Sequence, residues 1–239
     1  MIVAGRRAVL EAIAAGDARE VRIARGAALR DVLEVARQAG VPVHRVQVEV
    51  LDRMANDHRG VVAMLRAERP GKEMGERDLS SFPFGEGAVA VVLDGIVDPQ
   101  NLGSAARSCE AAGVSLIVMR LRRAAPPTTA AVTASAGALL HVPLARVANI
   151  PRAIARLQQL GFTAAGLDGG APRSIYQEPC PTGRIALVVG SEDKGISRLA
   201  RERCDVLVAL PMLGRVRSLN ASASLAAALY GWVLPAGHR

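Results

Sequence analysis

Near-continuous apolar runs, interspersed with helix-like stretches, constrain this chain more than any other feature. Ala88 to Leu93, Val114 to Met119, Phe162 to Leu167, Ile185 to Val189 and Val206 to Leu210 are strand-length and apolar on both faces. Helical periods lie between them at Leu102 to Ala112, closed by Gly113, and at Ile150 to Leu160, closed by Gly161. A strand that is apolar all round is buried on both sides, and a parallel sheet covered by helices is the usual way to bury it. The spacing therefore predicts an α/β domain over 88–239, ending in a long Ala/Leu helix from Asn220 to Leu234. That helix carries Leu225, Leu229, Trp232 and Val233 on more than one side, so it wants partners on both faces, and a homodimer is expected. In such a sheet, ligands sit beyond the carboxyl ends of the strands. The loops to read are Asp94 to Asn101, Gly190 to Ile196 and Pro211 to Ser218.

Residues 1–66 form a separate, smaller α/β unit. Helices are expected at Arg7 to Ala15, Ala27 to Ala39 and Glu49 to Ala55, and strands at Val21 to Ala24, Val43 to Val46 and Val61 to Leu65. Residues 67–87 hold Pro70, Gly71, Gly75, Pro83, Gly85 and Gly87 among charges, without an apolar period, and read as a linker.

The candidate loops exclude several chemistries. No GxGxxG follows a strand, and no GxSxG elbow exists. The stretch from Gly190 to Ser197 has Lys194 before its second glycine and two acids, Glu192 and Asp193, where a phosphate would lie, so it is not a P-loop. His44, His58, His141 and His238 lack ligand spacing, and Cys109, Cys180 and Cys204 are odd in number and far apart. Neither a metal site nor a disulfide framework is expected, and the thiols read as reduced and cytosolic. No apolar run is long enough to cross a bilayer, and no signal-peptide pattern opens the chain, so a cytoplasmic location is expected. A net charge of +8 points to a polyanion, RNA or DNA first. Only Lys72 and Lys194 of the 30 basic residues are lysine, a bias that genome base composition also produces, so charge alone does not decide. Aromatics at 3% exclude a row of stacking platforms.

Three segments carry the positive signal. They are Leu93-Asp-Gly-Ile-Val-Asp-Pro-Gln-Asn-Leu-Gly-Ser-Ala-Ala-Arg107, Leu187-Val-Val-Gly-Ser-Glu-Asp-Lys-Gly195, and Leu210-Pro-Met-Leu-Gly-Arg-Val-Arg-Ser-Leu-Asn220. Together they resemble the three motifs of the SpoU (TrmH-type) RNA 2′-O-ribose methyltransferases of the SPOUT class. The front unit, with Gly5-Arg-Arg-Ala-Val-Leu-Glu-Ala-Ile13 and Asp57-His-Arg-Gly-Val-Val-Ala63, resembles that family's L30e-like RNA-binding extension. The pairing is most similar to bacterial enzymes that methylate a guanosine of 23S rRNA. One residue departs from the pattern: Asp193 stands where the family has Gly.

The resemblance implies a trefoil knot in the C-terminal domain, S-adenosylmethionine as methyl donor, an RNA substrate and pairing through the knotted domain. It implies catalytic roles for Arg107, Asn101, Glu192, Ser218 and Asn220, and cofactor contacts from Gly190, Leu210 and Leu219. His58, Arg59, Arg120, Arg122, Arg123, Arg215 and Arg217 are the candidate RNA contacts. Each residue has a plainer reading. Arg107 would pair with Glu110 one turn on, Asn101 and Asn220 would cap helices, and Glu192 would sit at a helix start. Leu210 and Leu219 would be core, and the arginines a solvated surface. A tRNA methyltransferase, a methylase acting on another rRNA nucleotide and a non-catalytic RNA-binding protein of the same fold remain as alternatives.

Overall fold

A computed structural model describes residues 2–66 and 73–238. The front unit runs β1 (Ile2–Ala4), α1 (Arg6–Ala14), β2 (Ala18–Ala24), α2 (Arg30–Gln38), β3 (Val43–Val46), α3 (Val48–Asp52) and β4 (Val61–Leu65). Its sheet has the order β1-β4-β2-β3, with β2 and β3 parallel and the other pairs antiparallel. The three-residue β1 has no period long enough to be read from sequence.

The second unit begins earlier than expected. Of the stretch read as a linker, residues 67–72 lie outside the described residues, but β5 (Glu73–Gly75) joins the large sheet as its edge strand beside β8 (Leu144–Val147). A 3-10 turn, Glu76–Ser81, follows and buries Leu79 completely. Phe82 and Phe84 then stack in series, with Phe84 edge-on to Phe162. Glycines and charges hid this segment, because one buried Leu and two aromatics suffice to dock it.

The sheet continues with β6 (Val89–Asp94), α4 (Pro99–Ala111), β7 (Leu116–Arg120), α5 (Thr129–Ala134), β8, α6 (Ile150–Gln159), β9 (Phe162–Leu167), β10 (Arg184–Gly190), α7 (Arg198–Arg201), β11 (Val206–Val208) and α8 (Ala221–Ala228). Its order is β11-β9-β10-β6-β7-β8-β5, with every pair parallel. The apolar runs behave as their composition demands: every residue of β6, from Val89 to Asp94, is buried. One face packs against α6, through Ile150, Ile154 and Leu157. The other carries α4 and α8 and is continuous with the core of the front unit. The two units touch where α5 meets β1, with the Ala4 amide donating to Thr133 Oγ1 at 3.4 Å.

The last helical segment covers the expected Asn220 to Leu234 but changes type along its length. It runs as α-helix to Ala228, then widens into a π turn over Leu229–Val233. Leu225, Leu229, Trp232 and Val233 are all buried within the chain, and the Trp232 indole donates to the Glu178 carbonyl at 2.7 Å. Its apolar sides are therefore satisfied internally and supply no argument for a dimer. Among the described residues no helix is long and apolar enough to cross a membrane.

Candidate active site

Strand order reverses between β6 and β10, and the loops leaving their carboxyl ends open a crevice there. Asp94, the last residue of β6, is buried and anchors it. Its Oδ1 accepts from Arg120 Nε at 3.2 Å and Nη2 at 3.0 Å, and its Oδ2 accepts from the Ser197 amide at 2.9 Å. One carboxylate thus ties together the ends of β6 and β7 and the loop after β10. The Arg120 guanidinium is committed to this buried acid, which accounts for it better than an RNA contact does.

Beyond that anchor, a cleft of about 910 Å³ lies between the loops after β9, β10 and β11. Gly190, Leu210 and Leu219 all line it, as do Glu192, Arg215, Arg217 and Ser218. Leu219 is 43% exposed, so it is a wall of the cleft and not core. Gly190 is required by a close approach: a Cβ there would lie 1.9 Å from the Gly195 carbonyl carbon and 2.1 Å from the Ile196 amide nitrogen. The chain folds back as a tight turn closed by paired hydrogen bonds between Ser191 and Gly195. Asp193, which departs from the family's glycine, sits exposed on that turn and is not among the residues lining the cleft. Sequence reading missed Asp168, Met212 and Ser224, which also face the cleft. Only the position of Asp168 at the carboxyl end of β9 marked it.

At the crevice three polar side chains from distant segments meet. Asn101 Nδ2 donates to Glu192 Oε1 at 2.8 Å. Asn220 Nδ2 donates to Asn101 Oδ1 at 2.9 Å and makes a short contact with the same Glu192 oxygen. Asn220 also caps α8, its Oδ1 accepting from the Ser222 amide at 2.9 Å. The capping expectation for Asn101 is corrected. Asp98 caps α4, accepting from the Gln100 amide at 3.1 Å, with Pro99 in the first turn. That leaves Asn101 free to face Glu192.

Arg107 is not part of this triangle. Six residues along an α-helix give about 9 Å of rise and about 240° of rotation, so it projects from a different face of α4. It lines a second cleft, about 600 Å³, between the two units, with Arg7, Arg59 and Gln100. Its field there opposes the burial that raises the Glu11 carboxyl above its ordinary value. The plain pair with Glu110 is absent from the ion pairs among described residues.

His58 is corrected as a direct RNA contact. It is buried, accepting from the Gly60 amide at Nδ1 (3.0 Å) and donating to Asp52 Oδ1 from Nε2 (2.9 Å). Arg59 is exposed on the turn that His58 holds, and Arg122 and Arg123 are exposed after β7. Burial pushes the thiols of Cys180 and Cys204 up to about 11 and about 12, and Cys109 higher still, so none offers a thiolate. No group of three potential metal ligands occurs among the described residues.

Comparison with known proteins agrees with this layout. Residues 88–230 match the model of the SpoU rRNA methylase family, and residues 2–71 match that of the RNA 2′-O ribose methyltransferase substrate-binding domain. The chain is 35% identical over 205 residues to the 23S rRNA (guanosine-2′-O-)-methyltransferase RlmB of Vibrio vulnificus, covering 84% of this chain and 81% of that protein. It is 37% identical over 204 residues to RlmB of Xylella fastidiosa, with the same shares of each chain. The crystal structure of the SpoU methyltransferase AviRb from Streptomyces viridochromogenes, in complex with AdoMet, superposes with a TM-score of 0.76 at 24% identity, over 98% of this chain and 90% of that one. The family-model matches over residues 88–230 and 2–71, with 35–37% identity to the two RlmB proteins over most of both chains, make this chain a member of the SpoU rRNA methylase family.

Proposed function

We propose that the chain is an S-adenosylmethionine-dependent RNA 2′-O-ribose methyltransferase whose substrate is a guanosine of 23S rRNA. The observation that carries this reading is the convergence of Asn101, Glu192 and Asn220 beside a cleft of cofactor size. The relatives' activity supports the choice of RNA and nucleotide. Residues 1–66 hold the RNA and residues 88–239 carry the chemistry, with 73–87 belonging structurally to the second unit. The family's trefoil knot, at the loops after β10 and β11, and a cytoplasmic location belong to the same reading.

The cleft fits the cofactor: its volume lies within the usual range for small-molecule sites, and Gly190 brings backbone to its wall with no side chain intervening. Leu210 and Leu219 supply apolar walls for an adenine. When bound, S-adenosylmethionine supplies an electrophilic methyl on a sulfonium, open to in-line attack by a ribose hydroxyl. Asn101 and Asn220 both donate to Oε1 of Glu192, which fixes that carboxylate and leaves Oε2 to accept from a hydroxyl. Ser218 borders the same cleft. The Arg107 guanidinium stabilises negative charge developing on the 2′-oxygen.

Within one chain Arg107 faces away from the cleft, so this role requires a second copy. Exposed Val97, Leu213 and Val216, on the loops after β6 and β11, give that copy an apolar seat. The reading therefore includes a homodimer with composite sites. Mapping 2′-O-methyl groups in rRNA and tRNA from a strain lacking the protein tests the substrate. Loss of one 23S guanosine modification is expected. Loss confined to tRNA would replace rRNA by tRNA, and an unchanged map would leave an RNA-binding protein without turnover.

A further inference from the structure

The cleft between the two units shares no lining residue with the cofactor cleft. Four arginines line it, Arg6, Arg7, Arg59 and Arg107, against two carboxylates, Asp31 and Asp57. Arg6 is spent on Asp31, Nε to Oδ2 at 2.7 Å. Arg59 reaches Asp57 only at 3.3 and 3.4 Å, with both side chains 76% exposed, so a stronger anion displaces that pair at little cost. The cleft is thus cationic on both walls: Arg7 and Arg59 on the front unit face Arg107 on α4.

The turn presenting Arg59 is built and strained. Asp57 and Arg59 have φ of 53° and 49°, the left-handed region that side chains disfavour. Buried His58 holds the turn from both ring nitrogens, through Gly60 and Asp52. Strain kept in place by a buried histidine serves to aim the one exposed cation at its centre.

We propose that this cleft seats the phosphodiester backbone of the RNA, with Arg7 and Arg59 gripping phosphates beside the target ribose and His58 positioning Arg59. The proposal rests on the methyltransferase reading and deepens it. A 2′-hydroxyl is attached next to the carbon that carries the 3′-phosphate. Cations that hold the flanking phosphates across from Arg107 therefore bring the acceptor hydroxyl to Arg107.

The test uses the full chain and a fluorescently labelled 23S rRNA hairpin, followed by anisotropy across a salt series. Each phosphate contact in a single strand contributes about 0.7 to the slope of log K against log salt, so Arg7→Gln and Arg59→Gln should each lower the slope by about 0.7. At 0.1 M salt the same relation gives about a fivefold rise in Kd for each. Cofactor affinity by calorimetry should not change. His58→Gln should weaken RNA binding as Arg59→Gln does, and the double variant should be no worse than Arg59→Gln alone, with thermal midpoints confirming that all variants fold. Unchanged Kd and salt slope in Arg7→Gln and Arg59→Gln, with the unaltered protein binding and methylating the RNA, would overturn the cleft and spare the methyltransferase. A wild-type chain that neither binds nor methylates RNA would overturn both.

Discussion

Adding one methyl group at Gly190 should disable the cofactor cleft. The Cβ of Gly190→Ala would lie 1.9 Å from the Gly195 carbonyl carbon and 2.1 Å from both the Gly195 oxygen and the Ile196 nitrogen. All three are backbone atoms, so no rotamer change relieves the overlap. To reach ordinary contact the turn from Ser191 to Ile196 must move by about 1.5 Å, breaking the paired bonds between Ser191 and Gly195. Overpacking typically costs about 1–3 kcal/mol, and a clash confined to backbone belongs at the upper end. For a chain of this size about 3 kcal/mol lowers Tm by roughly 6–12 °C. Glu192 is carried on the displaced turn, and a shift of about 1 Å in positioning residues is enough to cost about 100-fold in rate. Calorimetric titration with S-adenosylmethionine, together with thermal unfolding, reads both effects, and Kd should rise at least about tenfold. Gly195→Ala is the control. Its φ is 62° but nothing lies within 4 Å of the added carbon, so it should cost only the left-handed penalty of about 1–2 kcal/mol. If Gly190→Ala bound the cofactor and melted like the parent, the close-approach argument would be wrong.

Arg107→Ala should leave cofactor affinity unchanged and reduce turnover by about 10²–10³, with poor rescue by Lys, whose point charge lacks the planar fork. Coexpression of Arg107→Ala with Asn101→Ala should restore about a quarter of turnover, because half of the dimers are mixed and each keeps one composite site; no recovery would refute sharing between copies. A fragment starting at residue 72 should melt higher than one starting at Phe84, which lacks β5 and fully buried Leu79, a side chain whose burial is worth about 1.5–3 kcal/mol. Arg152 holds the Glu76 carboxyl below its ordinary value. A depressed carboxyl stabilises the fold above the usual carboxylate range and loses that contribution as pH falls through its lowered value. The Tm difference between the parent and Glu76→Gln should therefore shrink on acidification, and a difference that grew toward low pH would contradict the assignment.

How much of this was legible beforehand follows from the physics of each element. Strands apolar on both faces read correctly because parallel-sheet burial leaves no alternative: Phe162–Leu167 was placed to the residue, and β10 within one at each end. The edge strands β1 and β5 and the interior strand β8 did not read, since each is only three or four residues long without turn signals to set it apart, and tertiary pairing decides them. Side-chain direction was the other gap. Helical angles separated Asn101 from Arg107, but only the structure shows that Asn101 meets Glu192 and Asn220 while Arg107 faces the front unit. Arg120 and His58 looked like free polar groups in sequence. Their partners, Asp94 and Asp52, are 26 and 6 residues away, and neither pairing follows a spacing rule.

The central claim is transfer of a methyl group to a ribose oxygen. The most direct measurement incubates the purified protein with methyl-labelled S-adenosylmethionine and unmodified 23S rRNA transcript, digests the RNA to nucleosides and identifies the labelled product by mass spectrometry. The account predicts a single labelled nucleoside, 2′-O-methylguanosine, reduced about 10²–10³ in rate by Arg107→Ala. Label on a base, or no label while the protein binds both cofactor and RNA, would contradict it.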